Sequence, residues 1–241
     1  MRSRLPAVAA VVALFGSHAA AADMVLKAPP APPAAMWSGF YVGAGTGAAW
    51  DSIDGNFIFP PPASWSTSQT AGLFGPQAGV QRRFGPVVLG VEGDFLFLFG
   101  NNSGTDVCHP AASCAPGTIV SQHLRSGLWT AGARVGYPIN SWMPYVSGGY
   151  AGTNATLTFL PGSIETGTTD HNGGYIGGGL DYMIMPRLVA GIEYRHYFFA
   201  SASTVPATAS GPVPGDLYSV APAADSVMVR LSWLFGWNGA K

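Results

Sequence analysis

The chain has 241 residues and a formal net charge of −1, so it has neither the basic face of a nucleic-acid binder nor an acidic solvating block. Charged residues make up only 10%, against roughly 25% in an ordinary soluble domain, while 33 residues are Gly and 12% are aromatic. This composition speaks against a soluble globule and suits a sheet with one face in lipid, bounded by aromatic girdles.

The first element is an export signal. Arg2 and Arg4 form a positive start, Leu5 to Phe15 an apolar stretch, and Ala20-Ala21-Ala22 a cleavage site before Asp23. Residues 1–22 are therefore expected to be removed, because the apolar run is shorter than the ~20 residues a membrane anchor needs. Residues 23–36 contain Ala28-Pro29-Pro30-Ala31-Pro32-Pro33 and read as an extended, Pro-rich periplasmic linker. The rest, 37–241, is read as one domain. It holds no apolar run of 18 residues, so an exported chain of this hydropathy would span a membrane as a closed β-barrel.

Within that domain the pattern predicts eight strands, at 38–50, 70–84, 87–99, 123–136, 144–157, 173–184, 188–199 and 225–235. The last alternates most clearly. Val227, Val229, Leu231, Trp233 and Phe235 share one parity, and Met228, Arg230, Ser232 and Leu234 the other. The seventh sets Ala190, Ile192 and Tyr194 against Glu193, Arg195 and Tyr197, and the third sets Leu89, Val91 and Phe95 against Glu92 and Asp94. Breaks alternate in length: 85–86, 137–143 and 185–187 are short, whereas 51–69, 100–122, 158–172 and 200–224 are long. Short periplasmic turns and long outer loops are the habit of outer-membrane barrels. The expected fold is all-β, an eight-stranded antiparallel up-and-down transmembrane β-barrel.

Five segments in this order carry a resemblance: Trp37-Ser-Gly-Phe-Tyr-Val-Gly, Val88-Leu-Gly-Val-Glu-Gly-Asp-Phe, Ala131-Gly-Ala-Arg-Val-Gly-Tyr, Met143-Pro-Tyr-Val-Ser-Gly-Gly and Val229-Arg-Leu-Ser-Trp-Leu-Phe. Together they resemble the small outer-membrane barrel family of alphaproteobacteria, akin in architecture to OmpA and OmpX. The resemblance implies an abundant, surface-exposed and often immunogenic envelope protein. Some members are described as porin-like and some as haem-binding. It also implies that the assembly machinery recognises the C-terminal strand. Here Phe235 is the terminal aromatic, but Trp237-Asn-Gly-Ala-Lys follows it, so Phe235 and Trp237 both stand as the end of that signal.

Parity assigns Ile192, Val227, Val229, Leu231 and Trp233 to the lipid face, and Arg83, Glu92, Asp94, Arg134, Asp181, Glu193, Arg195 and Arg230 to the lumen. Four acids and four bases in so narrow a space must pair, so they read as an internal salt-bridge plug. Acid–base catalysis by Glu92 and Asp94 is the sharper alternative, set aside because each is expected to face an arginine. No G-x-S-x-G motif accompanies His123, His196 or His171, the last read as a loop residue, and no enzyme is expected. Cys108 and Cys114 are expected to pair in an oxidising compartment; a metal site with His109 is the alternative, on poor ligand spacing. No cofactor is expected, and the partners are outer-membrane lipids and the assembly machinery, not nucleic acid. The function so read is structural, supporting the envelope and presenting loops. The alternative is a small pore or a loop-based ligand binder, for example of haem.

Overall fold

The computed structural model describes residues 37–57, 64–100, 103–107, 119–160, 164–165, 169–200, 202–204, 207–208, 211–212 and 218–236. The signal and linker readings, and Cys108 with Cys114, fall outside them. Eight long strands form the wall: β1 (Gly39–Phe57), β2 (Ser64–Phe84), β3 (Val87–Phe99), β4 (Ile119–Gly136), β5 (Trp142–Leu160), β6 (Thr169–Met185), β7 (Leu188–Phe199) and β8 (Tyr218–Gly236). Each pairs antiparallel with the next in sequence, and β8 returns to β1 from Gly39↔Gly236 to Phe57↔Tyr218. The sheet therefore has no free edge among these strands, as a membrane-spanning sheet requires.

The stagger of the closure can be followed residue by residue. Gly39 pairs with Gln81, Gln81 with Gly90, Gly90 with Arg134 and Arg134 with Ser147. Ser147 pairs with Gly177, Gly177 with Arg195, Arg195 with Ser226, and Ser226 with Ala49 on β1. One circuit thus climbs from residue 39 to residue 49, a shear of ten. Eight strands with that shear tilt by about 40° and leave an interior that side chains alone can fill.

Every strand is present where the alternation predicts one, but most run further outward. β1 continues to Phe57 rather than 50, β2 begins at Ser64 rather than 70, and β8 begins at Tyr218 rather than 225. Beyond the outer girdle a strand no longer needs an apolar exterior, so the period-two signal fades. Its N–H and C=O groups still favour the ladder over isolation. Two-residue turns at the opposite end centre on Gly85 (φ 61°) and Arg187 (φ 84°). The longer β4–β5 connection turns through Asn140 (φ 56°) and is fastened by Tyr137 N–H to Pro144 O at 2.9 Å.

Aromatic side chains ring both ends of the outer surface. Near the short turns Phe40 stacks on Phe235 at 6.0 Å, and Trp142 lies 4.4 Å from Tyr182. Toward the other end Phe95 meets Phe97 at 5.0 Å and Trp129 meets Tyr150 at 5.4 Å. Between the rings the wall is apolar, with Val91, Val146, Ile176, Ile192 and Val229 all more than half exposed. The five residues assigned to lipid, Ile192, Val227, Val229, Leu231 and Trp233, all point outward.

Candidate functional site

The interior is stacked in three layers. Nearest the short turns lies an apolar layer of Trp37, Tyr41, Val88, Met143, Met183, Val189 and Leu234. Toward the long-loop end lies a second, of Leu73, Leu96, Leu128, Ala151, Tyr175, Tyr197 and Met228. Between them β3, β4, β6, β7 and β8 place Glu92, Asp94, Arg134, Asp181, Glu193, Arg195 and Arg230, whose side chains are at most 8% exposed.

Glu92 is the hub of this layer. Arg230 Nη2 lies 2.9 Å from its Oε2, Arg195 Nη2 3.3 Å from its Oε1 and Arg134 Nη1 3.5 Å from its Oε2. Tyr41 donates its hydroxyl proton to the same carboxylate at 2.7 Å. Arg195 also reaches Asp94 at 2.6 Å and Glu193 at 3.0 Å, and donates to Thr130 Oγ1 at 3.2 Å. Arg230 pairs with Glu193 and donates to the Tyr145 hydroxyl at 3.0 Å. Arg134 pairs with Asp181 and lies 3.8 Å above the Tyr145 ring. Burying ions is costly, and only such multiple pairing offsets it.

Glycine makes room for these groups. Across the ladder Arg230 faces Gly45, Arg134 faces Gly90, Glu92 faces Gly132, Arg195 faces Gly177, Glu193 faces Gly179 and Asp181 faces Gly191. A Cβ on Gly177 would stand 2.9 Å from Arg195 Cγ, and one on Gly132 would stand 2.5 Å from the Tyr175 hydroxyl.

Seven of the eight expected lumen charges meet here; Arg83 does not. It has inward parity, but it lies at the last turn of β2, where the lumen opens. Its exposed side chain donates from Nε to Gly85 O at 2.9 Å. The layer therefore holds four carboxylates and three guanidiniums. Parity alone misses the neutral partners Tyr41, Tyr145, Thr130, Ser147 and Gln77, although all share the inward face; an inward tyrosine directly opposite a glycine (Tyr41 opposite Gly79, Tyr145 opposite Gly179) is the signal that could have found the first two. Ser147 donates to Glu193 at 2.9 Å and Gln77 to Ser232 at 2.6 Å.

The histidines are scattered. His171 lies in β6 and is buried, not in a loop, because that strand starts four residues earlier than its apolar pattern. His196 faces outward, 2.8 Å from Asp225, to which Tyr194 also donates. Glu92 and Asp94 do not converge on an open surface, since each is turned into the guanidinium layer. Among the described residues no three His, Cys, Asp or Glu side chains are gathered to hold a metal ion.

Comparison with known proteins agrees with this geometry. The family model described as outer membrane protein beta-barrel domain matches residues 7–218. The 31 kDa outer-membrane immunogenic protein of Brucella melitensis is 31% identical over 78% of this chain and 84% of its own length. The 25 kDa outer-membrane immunogenic protein of Brucella abortus is 28% identical over 78% of this chain and 81% of its own. Among solved structures, the outer membrane protein OprG from Pseudomonas aeruginosa shares the fold at a TM-score of 0.55 and 12% identity, covering 82% of this chain and 97% of that one. With the closed wall, its apolar band and the family match over most of its length, this chain belongs to the outer membrane protein beta-barrel family and resides in the cell outer membrane.

Proposed function

We propose that the protein is a non-conducting, non-catalytic barrel that supports the outer membrane and holds polar outer segments at the cell surface. The observation that carries this reading is the layering of the lumen. A water-filled path would have to cross two apolar layers and, between them, arginines and carboxylates already engaged with one another. An ion entering that layer would displace pairs that offset a large desolvation cost. The naming of the Brucella relatives as outer-membrane immunogenic proteins fits the same reading.

Ion conductance of the purified, refolded chain in planar bilayers is the direct test. The expected record is a flat baseline with the parent protein. Stable, reproducible steps of the size made by a general porin would overturn the sealed-lumen reading.

A further inference from the structure

The described carboxylates outside the lumen all lie toward one end of the wall. Arg82, Arg83 and Arg187 stand at the end with the short turns, which is periplasmic in barrels of this class. Among the described residues no Asp or Glu outside the lumen lies at that end. Those outside the lumen (Asp51, Asp54, Asp106, Glu165, Asp170 and Asp225) belong to the outer ends of strands or the segments joining them. Among the described residues no carboxylate lies within 4 Å of Arg82, Arg83 or Arg187.

We propose that this periplasmic rim binds the phosphate headgroups of anionic phospholipids in the inner leaflet of the outer membrane. Placement favours lipid over a soluble partner. Arg82 has outward parity and lies opposite Leu89, and its guanidinium sits 5.4 Å from the centroid of the Phe84 ring, itself exposed on the wall. A guanidinium held over an aromatic at the girdle is at headgroup depth, where a phosphodiester can accept its N–H groups in pairs. Arg83 is exposed at the rim and donates from its Nε to the turn carbonyl of Gly85. Arg187 is held in a left-handed turn whose carbonyl accepts from Leu234 N–H, which fixes where its side chain departs. β2–β3 and β6–β7 lie on opposite sides of the wall, so the sites form a discontinuous ring and not a single pocket.

Each arginine at an anionic surface should favour an acidic neighbour by roughly five-fold. The test is native mass spectrometry of the full chain released from nanodiscs containing equal amounts of phosphatidylglycerol and phosphatidylcholine. The parent should retain phosphatidylglycerol in excess of the disc ratio, and 0.5 M salt in the disc buffer, on the order of a 4 Å Debye length, should remove that excess. The variant R82Q/R83Q/R187Q should return to the disc ratio, whereas R125Q, at the outer end, should behave as the parent. Retention at the disc ratio by the parent, or undiminished excess in the folded triple variant, would overturn the proposal. Should that variant fail to fold, survival of the parent's excess in high salt overturns it instead. Loss of the excess on adding millimolar inorganic phosphate assigns the rim to free phosphate, and co-sedimentation with peptidoglycan sacculi without lipid excess assigns it to cell-wall carboxylates; either result also overturns it. A conducting lumen would leave all these outcomes unchanged, so this test is separate from that of the sealed interior.

Discussion

Glu92 is ion-paired with three arginines and accepts from a tyrosine, and its own strand neighbour Asp94 shares one of those arginines. Removing one partner of such a cluster leaves another charge buried and under-compensated. Arg134→Ala and Arg230→Ala should therefore each lower stability by about 3–5 kcal/mol in urea titrations of the vesicle-inserted protein. Arg83→Ala, at the exposed rim, should change it by no more than about 0.5 kcal/mol. Parity put all these arginines on one face but could not tell a rim from a lumen, because depth along a strand depends on where the membrane ends. The tyrosines of the layer carry no charge to draw attention and become visible only once the glycines beneath them are placed. Those glycines supply a paired test. Gly177 faces the lumen against Arg195 and Ser147, whereas Gly178 faces outward, where a Cβ would be 3.5 Å from Tyr145 O. Gly177→Ala should cost about 1–3 kcal/mol by overpacking. Gly178→Ala should be close to neutral, and equal losses from both would remove the packing account.

The strands obey one rule, inward and outward in strict turn, and a slip of one residue would reverse all of them together. Val229→Arg and Ile192→Arg place a charge on the lipid face and should cost roughly 2–4 kcal/mol near the midplane. Ala131→Leu, also outward, should fold into vesicles as the parent does, since its added methylenes meet only acyl chains. The alternation was legible in the sequence because lipid enforces it. The outer continuations of β1, β2 and β8 were not, because water on both faces imposes no period, and only the register with a distant partner defines them. Pro76 marks the opposite case, a break inside a legible strand. The β2–β3 pairing omits Gly75 and Pro76, and proline has no N–H to give. Pro76→Ala should restore that pairing and slow hydrogen exchange at Phe97 and Phe74, read by NMR in detergent. Unchanged exchange at both would place the cause of the gap elsewhere.

At the scale of the whole molecule, composition indicated a membrane wall and loop lengths its orientation, whereas the three-layer interior required the ten-residue climb of the register. That climb carries each strand past several neighbours, so residues far apart in sequence, such as Glu92 and Arg230, meet at one height. The outer surface follows the same geometry. The hairpin of β1 and β2 is laddered from Asp51↔Gln69 to Asn56↔Ser64, and β1 stays paired with β8 as far as Phe57↔Tyr218. What projects toward the exterior is thus in part a continuation of the wall, a ladder of three strands in fixed register. An antibody that binds there would read a discontinuous epitope that exists only while the ladder is intact. Sera raised against the folded barrel should label whole cells, lose most of their titre on heat-unfolded protein, and be poorly reproduced by linear peptides covering 51–57 or 64–70.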